Sequence, residues 1–444
     1  MTLPDPRAAQ CFRFVRRSCV QGRVELVYAF DDGPELVETI VFPDAPTLAA
    51  ERASAFEAAL DLLHFIAGVS YYKAGVPPTI AVETRWPDAA TAAFLDELYL
   101  HGLGEFAWAN RLDLDGRIRF PLGETPAGPA TDLGLSRRAL VPIGGGKDSL
   151  VSIELLKATG EPATAVWVGN SPLIEACAAR TGLPMLNIAR SISPVLFDYN
   201  RLGAWNGHIP VTAINSAILV VAALLYGFDA ILFSNERSAS SATLEADGRE
   251  VNHQWSKGWR FEDGFRALLH AGVASDLDYC SLLRPLSELA VAARFARETR
   301  YDEVFSSCNR NFRILGPRPA DRWCGQCPKC HFVFLALAPF MPKPRLLAIF
   351  GRNLLDDEAL APGFDALVEY RDHKPFECVG EGRESRAAFA ALARLAEWRE
   401  DALIERYARE IAPQLADVPT LDSLLEPAGP HHVPPALRAA LGLA

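Results

Sequence analysis

The segment that decides the fold spans residues 141–150 and reads VPIGGGKDSL. An apolar run at 137–143 comes directly before its three glycines, and an amphipathic pattern at 149–159 follows them. This order predicts a buried strand, a tight turn and a helix. Glycines let the N–H groups of such a turn approach an anion, and the helix N-terminus adds partial positive charge. The segment therefore predicts a phosphate-binding loop.

We expect the nucleotide to contact every residue of this loop: Gly144, Gly145, Gly146, Lys147, Asp148 and Ser149. Lys147 offers a mobile cation and Ser149 a hydroxyl group, while Asp148 could cap the helix or help to hold a metal. A Walker A loop would need Ser or Thr after Lys147, and a dinucleotide-binding fingerprint would need Gly at 149. The alternative is a glycine-rich turn that binds no ligand.

The chain around this loop alternates between strands and helices, which predicts an α/β fold with a doubly wound, mostly parallel sheet. We expect strands at 163–168, 185–188 and 230–234, and helices at 173–180 and 211–226. A helix at 286–299 and a strand at 303–307 should continue the pattern.

Three regions follow from changes in the pattern along the chain. Residues 1–130 form a predicted α+β domain, with strands at 12–18, 23–30 and 36–42 and helices at 47–67 and 88–101. Its end is marked by a segment at 121–134 that is rich in Pro, Gly, Thr and Asp and predicts a linker. Residues 131–345 contain the phosphate loop, and 346–444 form a predicted helical extension whose clearest helix is at 384–409.

Composition restricts the function classes. The chain has 444 residues, half of them hydrophobic, and a net charge of -11. An acidic protein binds nucleic acid and anionic membranes poorly unless it has a local basic patch. Residues 211–228 carry no charge, but their polar positions favour a buried helix over a membrane span. The N-terminus lacks the apolar region of a signal peptide, and we expect a cytoplasmic protein.

Four of the nine cysteines predict a metal site. Cys324, Cys327 and Cys330 are too close for pairing with one another in the usual disulfide geometry, and Cys308 precedes them as a fourth ligand. Thiolates two residues apart on a tight turn can converge on one ion, so structural zinc is favoured over an iron–sulfur cluster. Reduced cysteines without metal, or a catalytic Cys308, are the alternatives. His331 could be a ligand or a buried neighbour.

Two further polar segments are candidates for the site. SNERSAS at 234–240 follows a predicted strand end, where ligands of open α/β sheets bind. There Glu236 could hold Mg²⁺ and Arg237 could meet a phosphate or a carboxylate, although a capped polar loop would look the same. NHQWSKGW at 252–259 places His253 and Lys257 between tryptophans, where the alternative is aromatic packing with a solvated Lys.

The loop resembles the PP-loop, SGGxDS, of the N-type ATP pyrophosphatases, except that Gly144 replaces the usual Ser. Five stretches together resemble the MurL-type epimerases: GVSYYKAG (68–75), VPIGGGKDS (141–149), SNERSAS, NHQWSKGW and RWCGQCPKCHFVF (322–334). The resemblance implies a HUP-like fold, ATP and Mg²⁺ as cofactors, and release of AMP and diphosphate. It also implies the reaction, which is inversion of the terminal L-glutamate of UDP-N-acetylmuramoyl-L-alanyl-L-glutamate in peptidoglycan synthesis.

The implied chemistry needs a phosphate cradle, a carboxylate clamp and proton carriers, because an acyl-adenylate makes the glutamate α-proton far more acidic. Clamp candidates are Arg237, Lys257 and Arg310. Proton-carrier candidates are Lys257, His253 and Cys308. The competing hypothesis is a PP-loop enzyme that modifies tRNA or a nucleoside through sulfur or nitrogen transfer, although the chain lacks a basic module with interleaved aromatic residues.

Overall fold

The computed structural model describes residues 3–123, 130–246, 248–313, 317–371 and 373–443. The middle of the predicted linker, 124–129, lies outside these residues. The described strands are β1 Cys11–Val20, β2 Arg23–Phe30, β3 Leu36–Val41, β4 Thr79–Val82, β5 Ser136–Pro142, β6 Ala163–Val168, β7 Met185–Ser191, β8 Phe228–Phe233, β9 Leu244–Ala246, β10 Arg249–Val251 and β11 Asp278–Ser281.

The helices comprise seventeen α-helices in the described residues, several short 3-10 turns and a π-helix at Tyr407–Ile411. The α-helices are α1 Ala53–Ala67, α2 Val69–Tyr72, α3 Ala89–Gly102, α4 Gly104–Asn110, α5 Lys147–Thr159, α6 Pro172–Thr181, α7 Pro194–Arg201, α8 Val211–Tyr226, α9 Trp259–Gly272, α10 Glu288–Phe295, α11 Pro328–Leu337, α12 Lys343–Phe350, α13 Ala361–Leu367, α14 Gly382–Leu392, α15 Ala402–Arg406, α16 Leu421–Leu425 and α17 Pro435–Leu441.

One sheet organises the described part of the chain, with nine strands in the order β11-β8-β5-β6-β7-β3-β2-β1-β4. Strands β11 to β7 pair in parallel, which confirms the predicted α/β class and the mostly parallel sheet. The chain runs outward from β5 through β6 and β7, then returns to β8 on the other side of β5. In open α/β sheets such a reversal forms a ligand-binding crevice at the carboxyl end of the strand, which here is β5.

Apolar side chains alternate between the two faces of this sheet. On β5, Leu140 belongs to a core that contains helices α1 and α8, while Ala139 and Val141 belong to a second core that contains α5, α10 and α11. Helices thus cover both faces, as a parallel sheet requires because each face is apolar.

The N-terminal strands continue the sheet. Strand β3 pairs antiparallel with β7, and β2 and β1 follow it in a meander. The N-terminal region contains both strands and helices, and the described residues after 345 form helices. The domain boundaries at 130 and 345 stay a prediction.

Three predicted elements differ from the structure. The prediction of a strand at 303–307 is wrong, because this segment is not part of the sheet. It folds against the phosphate loop instead, where the Ser306 N–H donates to the Gly145 carbonyl at 2.9 Å. The outer strand is β11 instead. The single helix at 384–409 is also wrong, since a turn around the fully buried Trp398 interrupts it. The helix expected at 286–299 ends at Phe295.

One helical segment of the described residues, Ala50–Tyr72, is long and apolar enough to cross a membrane by length and composition. Protein buries 78% of its most apolar window, which is typical of a core helix. Helix α8, the uncharged segment discussed above, is buried along most of its length in the first core, as predicted.

Candidate active site at the carboxyl edge of the sheet

The phosphate-loop candidate lies between β5 and α5. Gly145 has φ +81°, a conformation that side chains with a Cβ rarely adopt. A Cβ on Gly144 would meet no heavy atom of the described residues within 4 Å, so the space over the loop is open. Gly146 is the N-cap of α5 and makes no side-chain capping bond. The first N–H groups of α5 are therefore available to an anion.

Lys147 is fixed rather than mobile, unlike the expectation from the sequence. It is 1% exposed, and its ammonium group contacts the carboxylates of Asp148 and Glu288. Burial disfavours ionisation of Asp148, but the charges of Lys147, Lys329 and Lys257 together outweigh this and hold the pKa of Asp148 below its usual range. Burial and the nearby Asp148 raise the pKa of Glu288 to about 7, even though Lys147 opposes this.

Ser149 closes the loop on itself. Its Oγ accepts from the Gly144 N–H at 3.4 Å and donates to the Gly146 carbonyl at 3.3 Å. The hydroxyl group thus holds the turn in shape while a phosphate could still reach the backbone.

The segment after β8 reaches the same crevice, since β5 and β8 are parallel neighbours. Glu236 is 4% exposed, and its Oε1 has no hydrogen-bond partner among the described residues. Burial and the nearby Asp148 raise the pKa of Glu236. An unpaired buried carboxylate oxygen beside a phosphate loop fits a site for a cation or a ligand donor. Arg237 instead turns towards the carbonyls of Pro285 and Glu426, each at 3.4 Å.

Arg284 joins the two polar segments singled out in the sequence. It is 2% exposed and pairs with Glu262, with Nε at 3.0 Å and Nη2 at 2.9 Å from Oε2. Its remaining N–H groups donate to the backbone carbonyls of Glu236, at 2.8 Å, and Lys257. The planar guanidinium group therefore fixes Glu236 relative to Lys257.

Lys257 and His253 converge on a cysteine that the sequence reasoning missed. Lys257 Nζ lies 3.1 Å from Cys378 Sγ, and His253 is a second positively charged neighbour of this thiol. Burial favours the neutral thiol, but the positive charges of Lys257 and His253 outweigh burial and hold the pKa of Cys378 well below its usual range. Burial opposes charge on His253, yet Cys378 and Glu105 raise its pKa to about 9.

Glu105 and His208 complete this cluster. The Glu105 carboxylate contacts His253 Nδ1 and lies 3.7 Å from His208 Nδ1, and the two imidazole rings are 4.2 Å apart. Burial and the charges of His253 and Lys257 lower the pKa of His208 to about 3. These three side chains could converge on a metal, but the surrounding positive charge favours an anionic ligand instead.

The segment that carries Cys378 is held in place from two sides. Lys329 Nζ bonds to the Cys378 carbonyl, and Gln254 Nε2 donates to the Val379 carbonyl at 3.2 Å. Lys329 Nζ also lies 3.8 Å from Glu288, which contacts Lys147. Charged side chains therefore connect the phosphate loop to the backbone of Cys378.

No spacing pattern in the sequence pointed to Cys378, Glu105, His208 or Glu288. Each is a single polar residue far along the chain from the motifs it joins. In the sequence, Cys378 differs from the four clustered cysteines only by its separate position, and this position alone does not indicate a function.

The four predicted metal ligands do come together. The sulfur atoms of Cys308, Cys324, Cys327 and Cys330 all lie within 4.8 Å of one another. Sγ of Cys330 is 3.4 Å from Cys327 and 3.7 Å from Cys324. A tetrahedral ion with Zn–S bonds of about 2.3 Å needs sulfur spacings of about 3.8 Å, so the group fits such an ion. Cys308 thus lies among the candidate ligands, and none of the four forms a disulfide.

His331 supports the turn next to this cluster. Its Nε2 lies 3.3 Å from the Gly325 carbonyl, and its ring stacks on Phe364 at 4.9 Å. Gly325 has φ +62°, which allows the tight turn between Cys324 and Cys327. Arg310, a predicted carboxylate clamp, lies two residues after Cys308 in the 3-10 turn Asn309–Phe312.

Comparison with known proteins identifies the family. The model of the MurL N-terminal domain matches residues 4–282, and that of the MurL C-terminal domain matches 304–421. The chain belongs to the MurL family. A relative from Xanthomonas oryzae pv. oryzae is 60% identical over 98% of both chains. One from Salinispora tropica is 43% identical over 91% of this chain and 88% of its own, and one from Micromonospora sp. is 46% identical over 86% and 85%.

All three of these MurL relatives are named UDP-N-acetyl-alpha-D-muramoyl-L-alanyl-L-glutamate epimerase. Residues of the candidate site lie in both of the MurL domain matches. The phosphate loop, Glu236, His253 and Lys257 lie in the N-terminal match, and the cysteine cluster and Cys378 lie in the C-terminal match. Both parts of a MurL chain are therefore needed to assemble the cluster described above.

Proposed function

We propose that this protein epimerises the terminal L-glutamate of UDP-N-acetylmuramoyl-L-alanyl-L-glutamate to D-glutamate, through an acyl-adenylate formed from ATP. The substrate and the reaction rest on the names of relatives that match almost the whole chain. These names favour the epimerase over a PP-loop enzyme that modifies tRNA or a nucleoside.

The ATP-dependent part rests on the loop at 144–149. Its positive-φ glycine, its uncapped helix start and the open space over Gly144 together form a cradle for phosphate groups. We assign ATP binding to this loop and the PP-loop, HUP-like relationship to the sheet that carries it. Cleavage between the α- and β-phosphates would release AMP and diphosphate and leave the adenylate on a substrate carboxylate.

Magnesium fits beside this cradle. Asp148 and the unpaired Oε1 of Glu236 offer the carboxylate oxygens that Mg²⁺ prefers. When bound, the ion would neutralise charge on the phosphate groups. Asp148 already contacts Lys147, whose own pairing with Glu288 keeps the ammonium group in position at the loop.

Activation of the carboxylate accounts for the use of ATP in an epimerisation. Removing an α-proton beside a free carboxylate would create two adjacent negative charges, whereas a neutral acyl-adenylate stabilises the enolate. The positive charges of Lys257 and His253 lie near the crevice and would attract the carboxylates of the substrate. The four clustered cysteines, two of which flank Lys329 in the sequence, would hold a structural zinc ion.

We also assign the protein to a reducing, cytoplasmic compartment, without membrane insertion or nucleic-acid binding. All nine cysteines are free, and the net charge is -11.

The decisive experiment follows the α-proton and the nucleotide in the same reaction. In D₂O with ATP and Mg²⁺, the substrate glutamate should gain deuterium at Cα as D-glutamate appears, with AMP and diphosphate as the nucleotide products. Without ATP, no deuterium should enter. Formation of ADP and orthophosphate alone, or deuterium uptake without ATP, would contradict the proposal.

A further inference from the structure

The thiol of Cys378 lies where several independent parts of the chain meet. Lys257 comes from the turn after β10, Lys329 from α11, and Cys378 itself from the segment before α14. The thiol is half-buried, Lys257 bonds to its sulfur at 3.1 Å, and the positive charge of His253 also acts on it. A sulfur with one cationic donor and a second cation nearby is held as a thiolate, which is a base and a nucleophile.

Most of the side chains around this sulfur are charged. Lys257 and His253 face it from the NHQWSKGW segment, Lys329 from α11, and Glu377 from its own segment. Burial disfavours charge on Lys257, but the thiolate and Glu236 raise its pKa. Lys257 therefore remains protonated at neutral pH and cannot itself accept an α-proton, although it can stabilise a thiolate.

A buried group on the loop side, Glu236, has an oxygen that is free for a ligand and interacts electrostatically with Lys257. Glu236 is 4% exposed, its Oε1 lacks a partner in the described residues, and its charge acts on both Lys257 and Asp148. Glu236 therefore connects the phosphate loop electrostatically to the ammonium group that contacts Cys378.

We propose that Cys378 is the group that removes the glutamate α-proton on one face of the adenylated substrate, with His253 and Glu105 exchanging that proton with solvent. The assignment rests on the proposed function, because it needs an activated α-proton. It replaces Cys308, whose sulfur lies among the four clustered cysteines.

The proton transfer is balanced as follows. The Cα–H bond breaks, an S–H bond forms on Cys378, and the electron pair moves into the activated carbonyl to give an enolate. A protonated acid or a water molecule on the opposite face then delivers a proton to Cα, which inverts the centre. The imidazolium of His253, which Glu105 holds through Nδ1, first releases its own proton to solvent. The neutral imidazole then accepts the S–H proton of Cys378, and the thiolate is restored.

The test uses the full-length variants Cys378→Ala and Cys378→Ser, with Cys19→Ala as the matched control. Cys19 is also a half-buried free cysteine, but it lies on β1. Two reactions are measured for each protein: exchange of labelled diphosphate into ATP in the presence of substrate, and deuterium entry at the glutamate Cα. The first reports adenylation, and the second reports proton removal.

Both Cys378 variants should retain the diphosphate exchange and lose deuterium entry by about 10²–10⁴-fold, the usual contribution of a general base. Cys19→Ala should behave as wild type in both. Deuterium entry in Cys378→Ala at the wild-type rate would overturn the proposal. So would parallel loss of both reactions in Cys378→Ser, because the cysteine would then be structural. If the wild-type protein exchanges the α-proton without ATP, the adenylate proposal fails, while the comparison of variants still tests Cys378.

Alkylation provides a readout that needs no substrate. Tryptic peptide 372–383 holds Cys378 as its one cysteine, so mass spectrometry can follow its reaction with iodoacetamide against pH. Cys378 should react at a lower pH than Cys19, whose pKa burial raises. Lys257→Met should move the midpoint for Cys378 upward. Equal midpoints for the two cysteines in wild-type protein would contradict a stabilised thiolate.

Discussion

Alanine substitutions at neighbouring glycines of the phosphate loop should separate backbone strain from ligand contact. Gly145 has φ +81°, whereas Gly144 is not in the left-handed region, and a Cβ on Gly144 would meet no described heavy atom within 4 Å. At Gly145 a Cβ would have only ordinary contacts, with Ile174 Cγ1 and the Ser306 carbonyl both 3.6 Å away. The cost of Gly145→Ala is therefore conformational, about 1–2 kcal/mol of unfolding free energy.

Gly144→Ala should leave stability within about 0.5 kcal/mol of wild type, because neither strain nor a clash arises. Its methyl group would nevertheless enter the space that we assign to phosphate. Loss of one charge-assisted hydrogen bond there costs about 1.5–3 kcal/mol, which corresponds to a fall of about 10- to 150-fold in kcat/KM for ATP. The two variants should thus affect different properties. Gly145→Ala should lower the free energy of unfolding, whereas Gly144→Ala should lower activity alone.

The assays are urea unfolding followed by tryptophan fluorescence, and diphosphate release at varied ATP concentration. Gly144→Ala with wild-type kcat/KM would refute the assignment of phosphate to this space. Gly145→Ala with unchanged stability would refute the argument from φ.

The other predictions concern the clusters around the loop. Protein purified without added metal should contain one zinc ion per chain by elemental analysis, and Cys324→Ser with Cys327→Ser should lose it and lower the melting temperature; metal-free wild-type protein would contradict this. Arg284→Lys should lower kcat more than it raises KM, because a Lys cannot hold Glu262 and both backbone carbonyls together; an equal effect of the matched surface variant Arg260→Lys would argue against it. Since the folded-state pKa of His253 is raised to about 9 from 6.5, its stabilisation should be complete below pH 6.5 and disappear as pH rises through 9. His253→Gln should therefore differ most from wild type in unfolding free energy at pH 6, and a constant difference between pH 6 and 10 would contradict this.

Local sequence was sufficient for elements whose pattern is repeated over many residues. The strand at Ala163–Val168 and the helix at Val211–Tyr226 coincide with the predicted ranges, because apolar runs between Gly or Pro residues specify their own ends. The phosphate loop and the cysteine cluster were equally accessible, since each depends on residues close together in the chain. The strand expected at 303–307 failed because its apolar residues bury themselves in turns against the loop rather than in the sheet.

The tertiary structure alone brought together the groups that have no local pattern. Sequence placed Lys257 and His253 in one segment, but the contact of Lys257 with Cys378 requires residues more than a hundred positions apart to fold onto one another. The tertiary structure also showed that Lys147 pairs with Glu288, and that Arg284 aligns Glu236 with Lys257. The sequence by itself determined the loop, the parallel sheet and the clustered cysteines, because spacing and periodicity act locally. Only the fold decided which distant charges surround the Cys378 sulfur, because the pKa of a buried group depends on neighbours that chain order does not reveal.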